Sequence, residues 1–102
     1  MKTLSSISIS FQQTTEQARS LSACADSLRT VQRQMETIIG ELQRNWSGDA
    51  ANLYLNKCNK FSKKLSSAAG ELDQVSASIK RTAQNYYEAE KRAIKLAQQR
   101  NK

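Results

Sequence analysis

The sequence predicts an all-α protein: an antiparallel helical hairpin that pairs with another hairpin into a four-helix bundle dimer. Three observations lead there. The 102 residues include no proline and only three glycines, so very long helices are permitted. Apolar residues recur at alternating steps of three and four in both halves of the chain, the period of a helix packed along another helix. The two periodic halves are separated near the midpoint by Trp46-Ser47-Gly48, which holds the sole tryptophan.

Helix one is expected over residues 10–44. Its seam runs Phe11, Thr14, Ala18, Leu21, Ala25, Leu28, Gln32, Met35, Ile39, Leu42, Trp46. Ser10 followed by Gln13 resembles a capping box, with Ile9 as its hydrophobic staple. Strict alternation, the strand signature, is confined to Ile7-Ser8-Ile9-Ser10. The turn spans residues 45–48, too short for anything but an antiparallel connection. Asn45-Trp46-Ser47 also matches a glycosylation sequon, read here as accidental in so tight a turn.

Helix two is expected over residues 49–97, capped by Ser47 or Asp49. Its seam runs Ala51, Tyr54, Cys58, Phe61, Leu65, Ala68, Leu72, Val75, Ile79, Thr82, Tyr86, Ala89, Ala93, Leu96. Gly40 and Gly70 fall on outer positions, where each costs about 1 kcal/mol relative to alanine without ending its helix. Residues 87–102 form a basic arm. Counting depth from the turn, Phe11 lies level with about residue 83, so the chain beyond about 86 is expected to overhang.

Residues 1–102 are read as a single domain. Two helices alone bury only one stripe of each, a thin core. Cys24, Val31, Ile38, Leu53 and Ala69 widen the apolar stripe beyond a two-helix seam. A partner is therefore expected. Its dimer seam would use Phe11, Leu21, Leu28, Met35, Ile39 and Leu42 of helix one with Tyr54, Phe61, Leu65, Leu72, Val75 and Ile79 of helix two. In an antiparallel dimer each turn lies beside the open end of the other hairpin, which places Trp46 of one chain near Tyr86 of the other. Tyr86 and Glu90, four apart, share a helix face.

The net charge is +7 and unevenly placed. From Phe11 to Asn45 acids and bases balance, whereas from Asp49 onward five acids face eleven bases. A strongly basic chain favours an acidic partner. Nucleic acid is not favoured, because Lys57, Lys60, Lys63 and Lys64 are spread around the helix and no base-reading motif is present. Catalysis finds no support: there is no histidine, no glycine-rich phosphate loop and no nucleophile with an evident base. No metal site and no cofactor are expected. Cys24 and Cys58 lie at different depths, roughly 18 Å apart along the bundle at helical rise, and are expected as buried free thiols. The N-terminus lacks the apolar core and cleavage site of a signal peptide. No stretch reaches the ~18 apolar residues of a membrane span.

Trp46-Ser47-Gly48 between two heptad arrays, with Tyr86-x-x-x-Glu90 near the end of helix two, resembles the W-x-G family of small helical-hairpin (ESAT-like) proteins exported by type VII secretion systems of bacteria. The resemblance covers essentially the whole chain. It implies a non-enzymatic secreted protein, a substrate or co-exported partner or adaptor that acts as a homo- or heterodimer and is cytoplasmic before export. It also implies a composite export signal: Trp46, Ser47 and Gly48 of one chain with Tyr86 and Glu90 of its partner, the C-terminal part being read by a membrane ATPase. The partner would be a second copy or another such hairpin, including one at the N-terminus of a larger effector. Tyr87 competes with Tyr86 for the tyrosine place, but the fourth residue after it is Lys91, not an acid. The other readings are a basic helical protein that binds nucleic acid and a cytoplasmic structural coiled-coil adaptor.

Overall fold

The computed structural model describes residues 3–100. They form a helical hairpin of two elements, α1 (Leu4–Asn45) and α2 (Asp49–Arg100), with no strand among the described residues. The all-α helical hairpin is the one expected. The helix bounds are longer, most of all at the start.

Helix α1 begins six residues before the expected Ser10 cap. The backbone N–H of Ser6 donates to Thr3 Oγ1 at 3.1 Å, and the N–H of Thr3 donates to Ser6 Oγ at 2.9 Å, a reciprocal box that satisfies early amides of the helix. Ile7 extends the apolar series by one more step of four and is buried. Packing of that side chain outweighs the local strand preference of Ile7-Ser8-Ile9-Ser10.

At the turn, Gly48 has φ +107°, the left-handed region that glycine enters without penalty. Its carbonyl accepts the N–H of Asn52 at 3.0 Å, so Gly48 itself takes the N-cap place instead of Ser47 or Asp49. Asp49 follows in the first turn, where its carboxylate meets the positive end of α2.

The chain divides into two compact units, Met1–Leu21 with Gln74–Lys102, and Ser22–Asp73. Each has its own helix–helix contact. In the first, Ile7, Ala18 and Ser76 are buried, and Ser76 Oγ donates to the backbone carbonyl of Ala18 at 2.7 Å. Phe11 stacks on Tyr87 with ring centroids 4.9 Å apart. In the second, Ala25, Ile39, Ala51, Leu55, Ser62 and Ala69 are buried. One edge of that unit is closed by Arg29, which donates to Asp73 at 2.5 Å. This hydrogen bond to the carboxylate raises the Arg29 pKa above its ordinary value.

These contacts correct the expected seam of helix two. The residues facing α1 include Leu55, Ser62, Ala69, Ser76 and Ala83, one position later than the expected Tyr54, Phe61, Ala68, Val75 and Thr82. Ala69, expected as a flanking residue, is fully buried. The physical reason is helix spacing. Ala18, Ala25, Ser62, Ala69 and Ser76 are all small, which lets two helices approach closely and bury backbone as well as side chain. A ranking by apolar size picks the larger neighbours instead. Helix one keeps its expected line, with Ala18, Ala25 and Ile39 at its centre. The overhang is corrected too: Tyr87 packs on Phe11, and Ile94 is still half-buried, so residue 87 does not begin a free arm.

Candidate partner-binding surface

The unit Ser22–Asp73 has two unlike sides. The first is polar and carries the Arg29–Asp73 pair. On a helix, residues one position before the buried line turn toward the side opposite that pair. For α1 these are Cys24, Val31 and Ile38, and for α2 Tyr54, Phe61 and Ala68. Both sets therefore emerge on the same side of the hairpin. Cys24 is exposed, Val31 and Ile38 are 46% and 54% exposed, and Tyr54 and Phe61 are 56% and 50% exposed. Between them and the core lie half-buried Leu28, Met35, Leu42, Cys58, Leu65 and Leu72.

Each helix thus presents a second complete three-four series. In α1 it runs Cys24, Leu28, Val31, Met35, Ile38, Leu42, and in α2 Tyr54, Cys58, Phe61, Leu65, Ala68, Leu72. A sustained series of this kind is the seam of a coiled-coil contact. Soluble monomers seldom leave so large a contiguous apolar face open to water. The expected seam residues Tyr54 and Phe61 are exposed here, as is Val75 in the other unit, whereas Leu28, Met35 and Leu42 border the open side. The cysteines depart from the buried thiols expected: Cys24 is exposed and Cys58 half-buried, because both belong to the second series.

At the turn end of this unit Trp46 is exposed and stacks on Tyr54, ring centroids 5.8 Å apart. The N–H of Trp46 donates to the Leu42 carbonyl at 2.8 Å, which anchors its backbone to the last turn of α1. Lys57 Nζ lies 5.8 Å over the Tyr54 ring. The tryptophan is therefore held in place by its neighbours while one face of the indole meets solvent.

The other unit opens into a cleft of about 500 Å³ lined by Ile7, Phe11, Thr14, Ile79, Thr82 and Tyr86, among others. Its lining is mostly apolar. Tyr86 is 56% exposed, and Tyr87 is held against Phe11 with Lys91 Nζ 5.8 Å over its ring. Both adjacent tyrosines line the cleft, Tyr87 with its ring stacked on Phe11 and Tyr86 the more exposed of the two. Glu90 is half-buried in the same unit. Trp46, Ser47 and Gly48 belong to one unit, Tyr86 and Glu90 to the other. The sequence reading missed Ile7 and Ala83 as part of this cleft; their three-four spacing with Phe11 and Ile79 was the available signal.

Among the described residues no three histidine, cysteine or acidic side chains come together as a metal site, and no helix is long and apolar enough to cross a membrane. The family model described as proteins of 100 residues with WXG matches residues 6–91. No match was found among curated proteins or solved structures. The matched span contains the turn, the cleft and the whole open apolar face.

Proposed function

As the chain belongs to the WXG100 family of type VII secretion-associated small proteins, we propose that it is a non-enzymatic substrate or co-exported partner that leaves the cell as a folded dimer of hairpins. The reading rests on one observation above others: the unit Ser22–Asp73 keeps a full second apolar seam open, with Val31, Ile38, Tyr54 and Phe61 each about half exposed. A second hairpin laid on that face completes a four-helix core.

The export signal in this reading is shared between chains. Trp46 of one chain, steadied by Tyr54, meets the open end of the other, where Tyr86 stands at the cleft. Gly48 supplies the turn that holds the indole, and Ser47 lies between them. Glu90, one helical turn beyond Tyr86, adds the acid. Tyr87 is the less suited ring, because it is occupied by Phe11. A membrane ATPase of the secretion system then reads the C-terminal part of α2, and no cleaved signal peptide is needed. The chain is cytoplasmic until that step. It can serve as an adaptor that lends its signal to a larger effector carrying a similar hairpin.

The test is export itself. Trp46→Ala, Tyr86→Ala and Glu90→Ala are expressed in a host with the secretion system, and culture supernatant and cell pellet are blotted. Each variant should accumulate in the pellet and fall in the supernatant. Undiminished export of all three would sink the proposal.

A further inference from the structure

We propose that the outer side of α2 in the unit Ser22–Asp73 is a docking stripe for the phosphate backbone of double-stranded DNA, built on Lys57, Lys60 and Lys64.

The chain carries no acid between Asp49 and Glu71, and four lysines fall in that stretch. At 3.6 residues per turn, Lys57, Lys60 and Lys64 lie within about 60° of arc around α2, and Lys63 extends the arc by about as much again. The expectation that the four are spread around the helix is thereby corrected. Their arc is centred opposite the buried line Leu55, Ser62 and Ala69, so all of them turn away from α1. All four are exposed. Among the described residues none of the four enters an ion pair; the pairs of this unit join Arg29 to Asp26 and to Asp73. The acids that bound the stripe, Asp49 and Glu71, stand about 10–12 Å along the axis from Lys57 and Lys64 respectively. A run of about 10 Å of helix therefore holds four cations that no carboxylate pairs. Lys57 is also steadied, with its Nζ 5.8 Å over the Tyr54 ring.

Charge alone admits several polyanions, and the neighbouring residues choose among them. Asn56 and Ser67 lie within the same arc and are exposed. Their amide and hydroxyl groups donate to phosphate oxygens beside the lysines. An anionic bilayer needs apolar depth as well as charge, and the stripe offers Leu53 alone, 56% exposed. The apolar series through Tyr54, Leu65 and Leu72 is centred about 110° away around the helix. For the same reason the stripe stays outside when that series is covered. No base-reading motif accompanies the lysines, so contacts stop at the backbone and carry no sequence preference.

Fluorescence anisotropy of a labelled short duplex, titrated with the full chain at several salt concentrations, tests this. Neutralising three to four phosphates gives log K against log salt a slope of about −3 to −4. K57Q/K60Q/K64Q should flatten that slope by about three and weaken binding at least tenfold at low salt. R92Q/K95Q/R100Q removes the same charge from the end of α2, where Glu88 stands one turn before Arg92, and should leave slope and affinity near the parent's. All six side chains are exposed, so both variants keep their helices, which circular dichroism checks. Two duplexes of unrelated sequence should bind alike. Equal losses in the two triple variants would mean that bulk charge acts alone and would overturn the stripe. A parent slope shallower than about −1 would overturn it as well. So would binding to phosphatidylglycerol vesicles with none to DNA.

Discussion

Ser76 offers the sharpest test of how the helices meet. The residue is 1% exposed, and its hydroxyl donates to the Ala18 carbonyl at 2.7 Å. Ser76→Leu removes the hydrogen bond, worth about 1 kcal/mol. It also forces a branched side chain into a contact sized for a hydroxymethyl, which costs about 1–3 kcal/mol. The sum is about 2–4 kcal/mol, and for a chain of this size that lowers the Tm by roughly 10–25 °C. Ser76→Ala should cost about 1 kcal/mol or less, because the Ala18 carbonyl already has its own bond in the helix ladder. Val75→Leu, one residue away and 48% exposed, should leave the protomer's stability within about 0.5 kcal/mol. Circular dichroism melts of all three at matched protein concentration give the comparison. A second series at tenfold dilution separates protomer packing from pairing between chains. If Ser76→Leu melts with the parent while Val75→Leu falls, the seam runs through Val75 as sequence alone suggested, and the description of both units is wrong.

Gly48→Ala should lose about 1–2 kcal/mol, because a left-handed φ of +107° is unfavourable for any side chain even though a Cβ there meets no atom within 4 Å. Gly40→Ala and Gly70→Ala, inside helices and equally uncrowded, should each gain up to about 1 kcal/mol in the same melts. Tyr87→Ala should destabilise the protomer by about 2 kcal/mol through loss of its stack on Phe11. Tyr86→Ala should reduce export. Cys24 should react with a water-soluble thiol reagent faster than Cys58, and its rate should fall as protein concentration rises and the open face is covered.

Much of this molecule was legible in the chain, and the misses share a cause. Long helices followed from the missing prolines and the unbroken three-four spacing. The turn followed from Gly48. The start of α1 did not, because Thr3 and Ser6 make a weaker-looking box than Ser10 and Gln13, and only the burial of Ile7 tips the balance. Helix two carries two adjacent stripes: a small one through Ser62, Ala69 and Ser76, and a large one through Tyr54, Phe61 and Val75. Periodicity locates both to within one residue but does not say which faces α1. Close approach decided it, and that is a property of the pair of helices together. The same ambiguity explains Cys24, apolar in pattern and yet exposed. Spacing favoured Tyr86 over Tyr87 through Glu90, but the stack of Tyr87 on Phe11, distant in the chain, was not legible.

The central claim is that the export signal is built between two chains, and trans-complementation tests it most directly. Trp46→Ala and Tyr86→Ala chains carrying different tags are expressed separately and together in a secreting host. Each alone forms dimers in which both shared sites are broken. Mixed dimers keep one intact site, made of Trp46 from one chain and Tyr86 from the other. Recovery of both tags in the supernatant only on co-expression is the predicted result. Export of either variant alone at the parent level, or no recovery from a mixed dimer that demonstrably forms, would contradict it.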